Sequence, residues 1–196
     1  MPKSKEETRE QILAAASDRI LKYGFNKTTM NEIAKDCNMS AANIYRFFKN
    51  KNDIAAALAL ESFHEAETLL KALARESQKA PVEKLKAFTI AQVRMNYEMF
   101  NEQPNCFEVV NYIMAEREDL IMPHADRITS FLAEILAEGN QAGIFDIDDI
   151  FTMADTFLKA VKMFLCPAFI HMYSLEEMEE SAERVIDLLV RGLEKR

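Results

Sequence analysis

Hydrophobic positions along the N-terminal part of the chain recur at the three- and four-residue spacing of amphipathic helices, in two short blocks set between two longer ones. Ile12, Leu13, Ala16 and Ile20 share one face of a helix predicted over Lys5–Tyr23, and Gly24 follows where a helix ends in the left-handed conformation. A short helix is predicted from Met30, capped by the hydroxyl of Thr28 or Thr29, with Glu32 in its first turn and Ile33 and Ala34 turned inward. Cys37, Asn38 and Met39 make the corner after it, and Asn38 tolerates the left-handed backbone that such corners often need. Ser40 caps a second short helix whose buried seam is Ile44 with Phe47 or Phe48 a turn later. That leaves Ala41, Ala42, Asn43, Tyr45 and Arg46 outward.

A longer helix begins near Lys51 and carries Ile54, Leu58, Phe63, Leu69, Leu70 and Leu73 toward a break at Lys79-Ala80-Pro81. Further helical blocks are expected over 82–100, 105–118, 123–141, 148–171 and 175–194, punctuated at Pro104, Pro123, Gly143 and Ser174. Ser174 stands three residues before Glu177, the spacing of a capping box. No segment alternates in the manner of a strand, and there are only four glycines and five prolines. The expected fold is therefore all-α. Residues 1–50 form a three-helix helix-turn-helix DNA-binding domain, and residues 51–196 form a helical ligand-binding and dimerisation domain.

The last two blocks are apolar over wider arcs than one neighbouring helix covers. Phe157, Val161 and Phe164 on one, with Met178, Ala182, Val185 and Leu189 on the other, are therefore expected to form a homodimer interface. The middle of the chain is rich in adaptable side chains. Met95, Met99, Phe107, Met114 and Phe157, with Asn111 as a polar contact, are expected to line a pocket for a hydrophobic or aromatic small-molecule effector.

A reading helix that presses its N-terminal end into the major groove needs small side chains there, which Ala41 and Ala42 supply. Asn43 is the natural base reader, since its amide pairs bidentately with adenine. Tyr45, Lys49 and Lys51 suit phosphates, and from Cys37 to Asn52 the chain holds Arg46, Lys49 and Lys51 and no acidic residue.

These residues carry a resemblance. Arg9, Ile12, Leu13, Ala15 and Ala16, then Tyr23-Gly24-Phe25, Thr28-Thr29, Ile33-Ala34, Ser40, Ile44-Tyr45, Phe48 and Lys51 resemble, in order, the N-terminal domain of TetR-type transcriptional regulators. The resemblance implies Thr29, Tyr45 and Lys51 on phosphates and Ala41, Ala42 and Asn43 toward bases. Two positions depart from the usual pattern: Ala42 stands where many members have glycine or a similarly small residue, and Phe47 where a histidine often follows the tyrosine and one further residue.

Charge sharpens the picture. The net charge of −8 argues against nucleic acid if taken whole, yet residues 1–55 hold ten Lys/Arg against seven Asp/Glu, and the remainder holds fourteen against twenty-five. An acidic body directs DNA to the N-terminal end. Three cysteines at distant positions suit a reducing cytoplasm, and no apolar run reaches a membrane span. The histidines are scattered, no phosphate-cradling glycine loop or nucleophile elbow is present, and neither metal, cofactor nor enzymatic activity is expected. The reading is a DNA-binding transcriptional regulator, a repressor released from a near-palindromic double-stranded operator by a small effector. The alternative is a helical small-molecule-binding or scaffolding protein that has lost operator binding.

Overall fold

The computed structural model describes residues 4–195 and is predominantly helical. The helices are α1 (Lys5–Tyr23), α2 (Met30–Asp36), α3 (Ala41–Ile44), α4 (Lys51–Ala74), α5 (Pro81–Glu102), α6 (Phe107–Glu116), α7 (Glu118–Gln141), α8 (Ile150–Val161), α9 (Pro167–Ile170) and α10 (Leu175–Leu193). Among the described residues, extended pairing is limited to a single bridge between Phe145 and Glu194. The chain forms two compact units. The first runs up to Phe63 and also takes in Gln103–Ile121; the second comprises His64–Glu102 and the chain from Met122 onward. The expected boundary fell at residue 50, so the start of α4 and all of α6 lie with the N-terminal helices instead.

In the first unit, local chemistry sets the helix starts. Ser4 and Thr29 each accept the amide of the residue three positions on, Glu7 or Glu32, whose carboxylate returns to the cap's own N–H. Ile12, Leu13, Ile33, Ile44, Phe48 and Ile54 are buried together as its core. Removing such a side chain costs roughly 2–5 kcal/mol, so this core fixes the mutual placement of α1, α2 and α3.

In the second unit α5 packs against both α9 and α10. Leu85, Phe88, Leu132, Ile135, Phe157 and Ile186 are buried there at 1% exposure or less. Lys84 is almost wholly buried and donates to Glu138 at 2.6 Å, which keeps its ammonium paired on removal from water.

Two expected elements differ. The block 148–171 is not one helix: α8 ends at Val161, a 3₁₀ turn covers Lys162–Leu165, and α9 begins at Pro167. Proline has no amide N–H and pushes the residue before it out of the helical region, and Cys166 accordingly adopts φ −87°, ψ 122°. Conversely Pro123 does not start a helix but lies inside α7, where Arg117 already accepts the amides of Leu120 and Ile121 and so begins the helix upstream. Pro123 stands near enough to the N-terminus to forfeit only one backbone bond.

Candidate nucleic-acid interface

The helix-turn-helix is built on three side-chain caps. Thr29 begins α2; its hydroxyl accepts the Glu32 amide at 3.3 Å and donates to Glu32 Oε2 at 2.8 Å. Asn38 turns the corner at φ 54°, the left-handed value expected of it. Ser40 Oγ accepts the Asn43 amide at 3.2 Å and starts α3. The helix is shorter than its apolar seam suggested. It ends at Ile44, after which Phe47 and Phe48 donate to the Ile44 carbonyl at 2.9 and 3.0 Å and carry the turn into the core. Asn50 Oδ1 then accepts the Asp53 amide at 2.9 Å while Asp53 takes the Lys49 amide at 3.1 Å, which fixes the entry to α4.

On this frame Ala42, Tyr45, Arg46 and Lys49 are exposed and Ala41 and Asn43 half-buried. Tyr45 keeps 52% of its surface in water, so its hydroxyl and ring stand out from the turn. The acidic groups of this region are engaged elsewhere. Arg19 bonds Asp36 Oδ2 at 2.5 Å and approaches Glu32 at 3.3 Å, and Asp53 is occupied at the head of α4. The Thr29 hydroxyl, ahead of its backbone N–H and Arg19, holds the Glu32 carboxyl below its usual range; the Arg19 hydrogen bond does the same for Asp36. The face carrying Arg46 and Lys49 is left cationic.

Lys51, expected on a phosphate, is half-buried in the DNA-free chain: its ammonium donates to the Phe25 carbonyl at 2.6 Å and lies 4.3 Å from the centre of the Phe25 ring. Burial pulls its pKa below the ordinary lysine value, against the pull of Glu108 and Glu32. An ammonium held this way braces the corner between α1 and α2. Its partners from α6 were not foreseen: Glu108 accepts the Asn26 amide at 2.7 Å, and Tyr112 stacks on Phe25 with ring centres 5.8 Å apart. Asn105, just before α6, donates to the Leu21 carbonyl at 2.7 Å. These partners stand more than eighty residues away in sequence, and no local pattern announces them.

The other expected groups are dispersed. Of the pocket residues, Phe107, Asn111 and Met114 lie on α6 in the first unit, with Met114 62% exposed. Met95, Met99 and Phe157 lie in the second, where Phe157 is buried. Of the dimer residues, Phe157, Val161, Phe164, Met178 and Ala182 are buried within the chain itself, and Val185 and Leu189 are half-buried. Much of this apolar stripe faces the chain's own core, where α5 packs against α10 and the 3₁₀ turn, and α8 packs against α10. The apolar side chains left outward on α8 and α10 are Phe151 and Leu188, at 55% and 70% exposure. Among the described residues no cluster of His, Cys, Asp or Glu is arranged to hold a metal ion, and no helix is long and apolar enough to cross a membrane.

Residues 12–58 match the family model for bacterial regulatory proteins of the tetR family, and residues 81–186 match that for the tetracyclin repressor-like C-terminal domain. The uncharacterised HTH-type transcriptional regulator YvkB of Bacillus subtilis is 45% identical over 51 residues, 26% of this chain and 27% of that protein. The HTH-type transcriptional repressor BepR of Brucella suis is 28% identical over 131 residues, 67% of this chain and 62% of BepR. In both cases the match spans less than two thirds of the relative's length. The fold is similar to that of Thermus thermophilus FadR, a transcriptional repressor solved with lauroyl-CoA. That comparison has a TM-score of 0.63 and 20% identity, and covers 96% of each chain.

Proposed function

The chain belongs to the TetR family of bacterial regulatory proteins, and from that premise we propose that it is a cytoplasmic, homodimeric transcriptional repressor released from its operator by a small effector. The observation that carries the reading is the capped turn from Ser40 to Lys49, which holds Ala42, Tyr45, Arg46 and Lys49 outward while the nearby carboxylates are engaged within the unit. In this reading Ala41, Ala42 and Asn43 meet base edges in the major groove, and Tyr45, Arg46 and Lys49 meet phosphates. Thr29 and Ser40, as caps, set the pose of the two helices. Two copies are needed because one short helix reads only a half-site, and outward Phe151 and Leu188 support pairing through α8 and α10.

The effector acts through the corner at Phe25. Residues 103–121 belong to the first unit yet join α5 to α7, so any effector that favours another setting of those helices pulls on Glu108 and Tyr112. It shifts DNA binding only by its differential affinity for the two settings, and operator must weaken effector binding by the same factor. FadR's lauroyl-CoA supports an effector for this chain without fixing its chemistry.

The test is selection of bound sequences from a random duplex pool by the purified protein, followed by titration of the winner. An enriched inverted repeat is expected. Asn43→Ala should then cost about 1–3 kcal/mol at one base position and spare the others. A folded sample that enriches no sequence overturns the proposal.

A further inference from the structure

One face of α10 is left largely in water. Glu177, Ser181, Arg184, Leu188 and Arg191 follow one another at spacings of four and three, which sets them in line along one side of the helix. Leu188 keeps 70% of its surface exposed, the most of any large apolar side chain among the described residues. Beside Ser181 lies a cavity of about 140 Å³ between the 3₁₀ turn at Lys162–Leu165, α9 and the start of α10. Phe164 and Met178, which are buried, and Phe169 and Tyr173, which are exposed, supply its apolar lining. A protruding leucine and an apolar hollow thus stand on the same helix face, two turns or about 10.5 Å apart along the axis.

A two-fold axis makes contacts reciprocal: where one residue meets a second on the other copy, the second meets the first in return. A face that carries both a knob and a hollow is therefore complementary to itself. Two α10 helices set antiparallel, with the axis between Arg184 and Val185, bring Leu188 of each copy opposite the partner's Ser181 and so onto the hollow beside it. A cavity of roughly 150 Å³ admits a benzene ring, so the four carbons of a leucine side chain fit the space.

Charge selects the same orientation. The start of α10 exposes Glu176, Glu177, Glu180 and Glu183, whereas Arg191 and Lys195 are exposed at its end. Antiparallel helices set Arg191 close to the partner's Glu177, while parallel helices set each glutamate against its own copy, an arrangement that like charges oppose. Arg184, next to the axis, is matched within its own chain by Glu180 at 3.3 Å.

We infer that two copies dock through α10 in this antiparallel register, Leu188 of each filling the hollow beside the partner's Ser181 and Arg191 lying beside the partner's Glu177. The inference rests on the homodimer proposed above and adds its orientation and register.

The experiment is sedimentation equilibrium of the full chain, with far-UV circular dichroism of each variant as a check on folding. The parent is expected to be a dimer. Leu188→Asp, which alters a side chain exposed in the single chain, should weaken association at least about thirtyfold, and Leu60→Asp, at an exposed leucine of the first unit, should leave it unchanged. Ser181→Lys added to Leu188→Asp puts a cation opposite each new carboxylate and should recover about tenfold of the loss. Glu183→Lys, on another side of α10, should recover none. A monomeric parent would overturn the homodimer and this register with it. A dimer that Leu188→Asp leaves intact, or a dissociated Leu188→Asp that Ser181→Lys rescues no better than Glu183→Lys does, would overturn the register alone.

Discussion

Gly24 closes α1 at φ 90°, and its carbonyl accepts the Thr28 hydroxyl at 2.8 Å, so the chain turns sharply toward α2 at a residue without a side chain. A Cβ at this position would lie 3.1 Å from Glu108 Oε2, the oxygen that accepts the Asn26 amide. Gly24→Ala therefore meets two costs, the left-handed backbone and displacement of Glu108. Together they should lower stability by about 1–3 kcal/mol in urea unfolding. The glycine was legible in the sequence as a helix end, and Asn38 as a left-handed corner, because both follow from backbone preferences of single residues. The bond from Lys51 to the Phe25 carbonyl was not legible, because its partner stands twenty-six residues earlier and only the folded corner brings the two together.

At the scale of elements, α2 is tied to α1 by Arg19, which reaches both Asp36 and Glu32. The Asp36 pKa is lowered chiefly by that hydrogen bond. A depressed carboxylate contributes stability that is fully present above its unfolded value of about 3.9 and is lost as pH falls through the lower folded value. Asp36→Asn should thus be less stable than the parent at neutral pH, and the gap should close under acid when urea midpoints are compared down the pH scale. A second tie lies at the end of α7, where the Phe145 ring packs so close to Gly139 that an added Cβ would stand 2.2 Å from it. Gly139→Ala should cost about 1–3 kcal/mol through overpacking, despite the better helix propensity of alanine, and should appear as a lower thermal midpoint. Helix starts were readable from Ser174 with Glu177 and from Ser40, since caps act over three residues. The faces of α8 and α10 were not, because periodicity identifies an apolar stripe without saying whether the chain's own α5 or a second copy covers it. Pro167 divides the block 148–171, a local break that the apolar run on either side of it masks.

For the whole molecule, the decisive property is where charge lies. A net charge of −8 gives DNA no general reason to approach, so the proposed binding relies on the cationic face around Arg46 and Lys49. Affinity governed by so few groups carries a definite salt signature. Each phosphate neutralised releases condensed counterions and contributes about −0.9 to the slope of log affinity against log salt. Arg46 and Lys49 on two copies would account for four such contacts, so the Arg46→Ala, Lys49→Ala double variant should make the slope shallower by about 3.6. A monomer bound at one half-site would lose about 1.8 by the same reckoning. Fluorescence anisotropy with a fixed operator duplex across a salt series measures that difference, and it separates two reading heads from one without requiring any view of the interface between copies. A slope unchanged by the double variant would remove these residues from the phosphate contacts and move the DNA-facing surface elsewhere on the first unit.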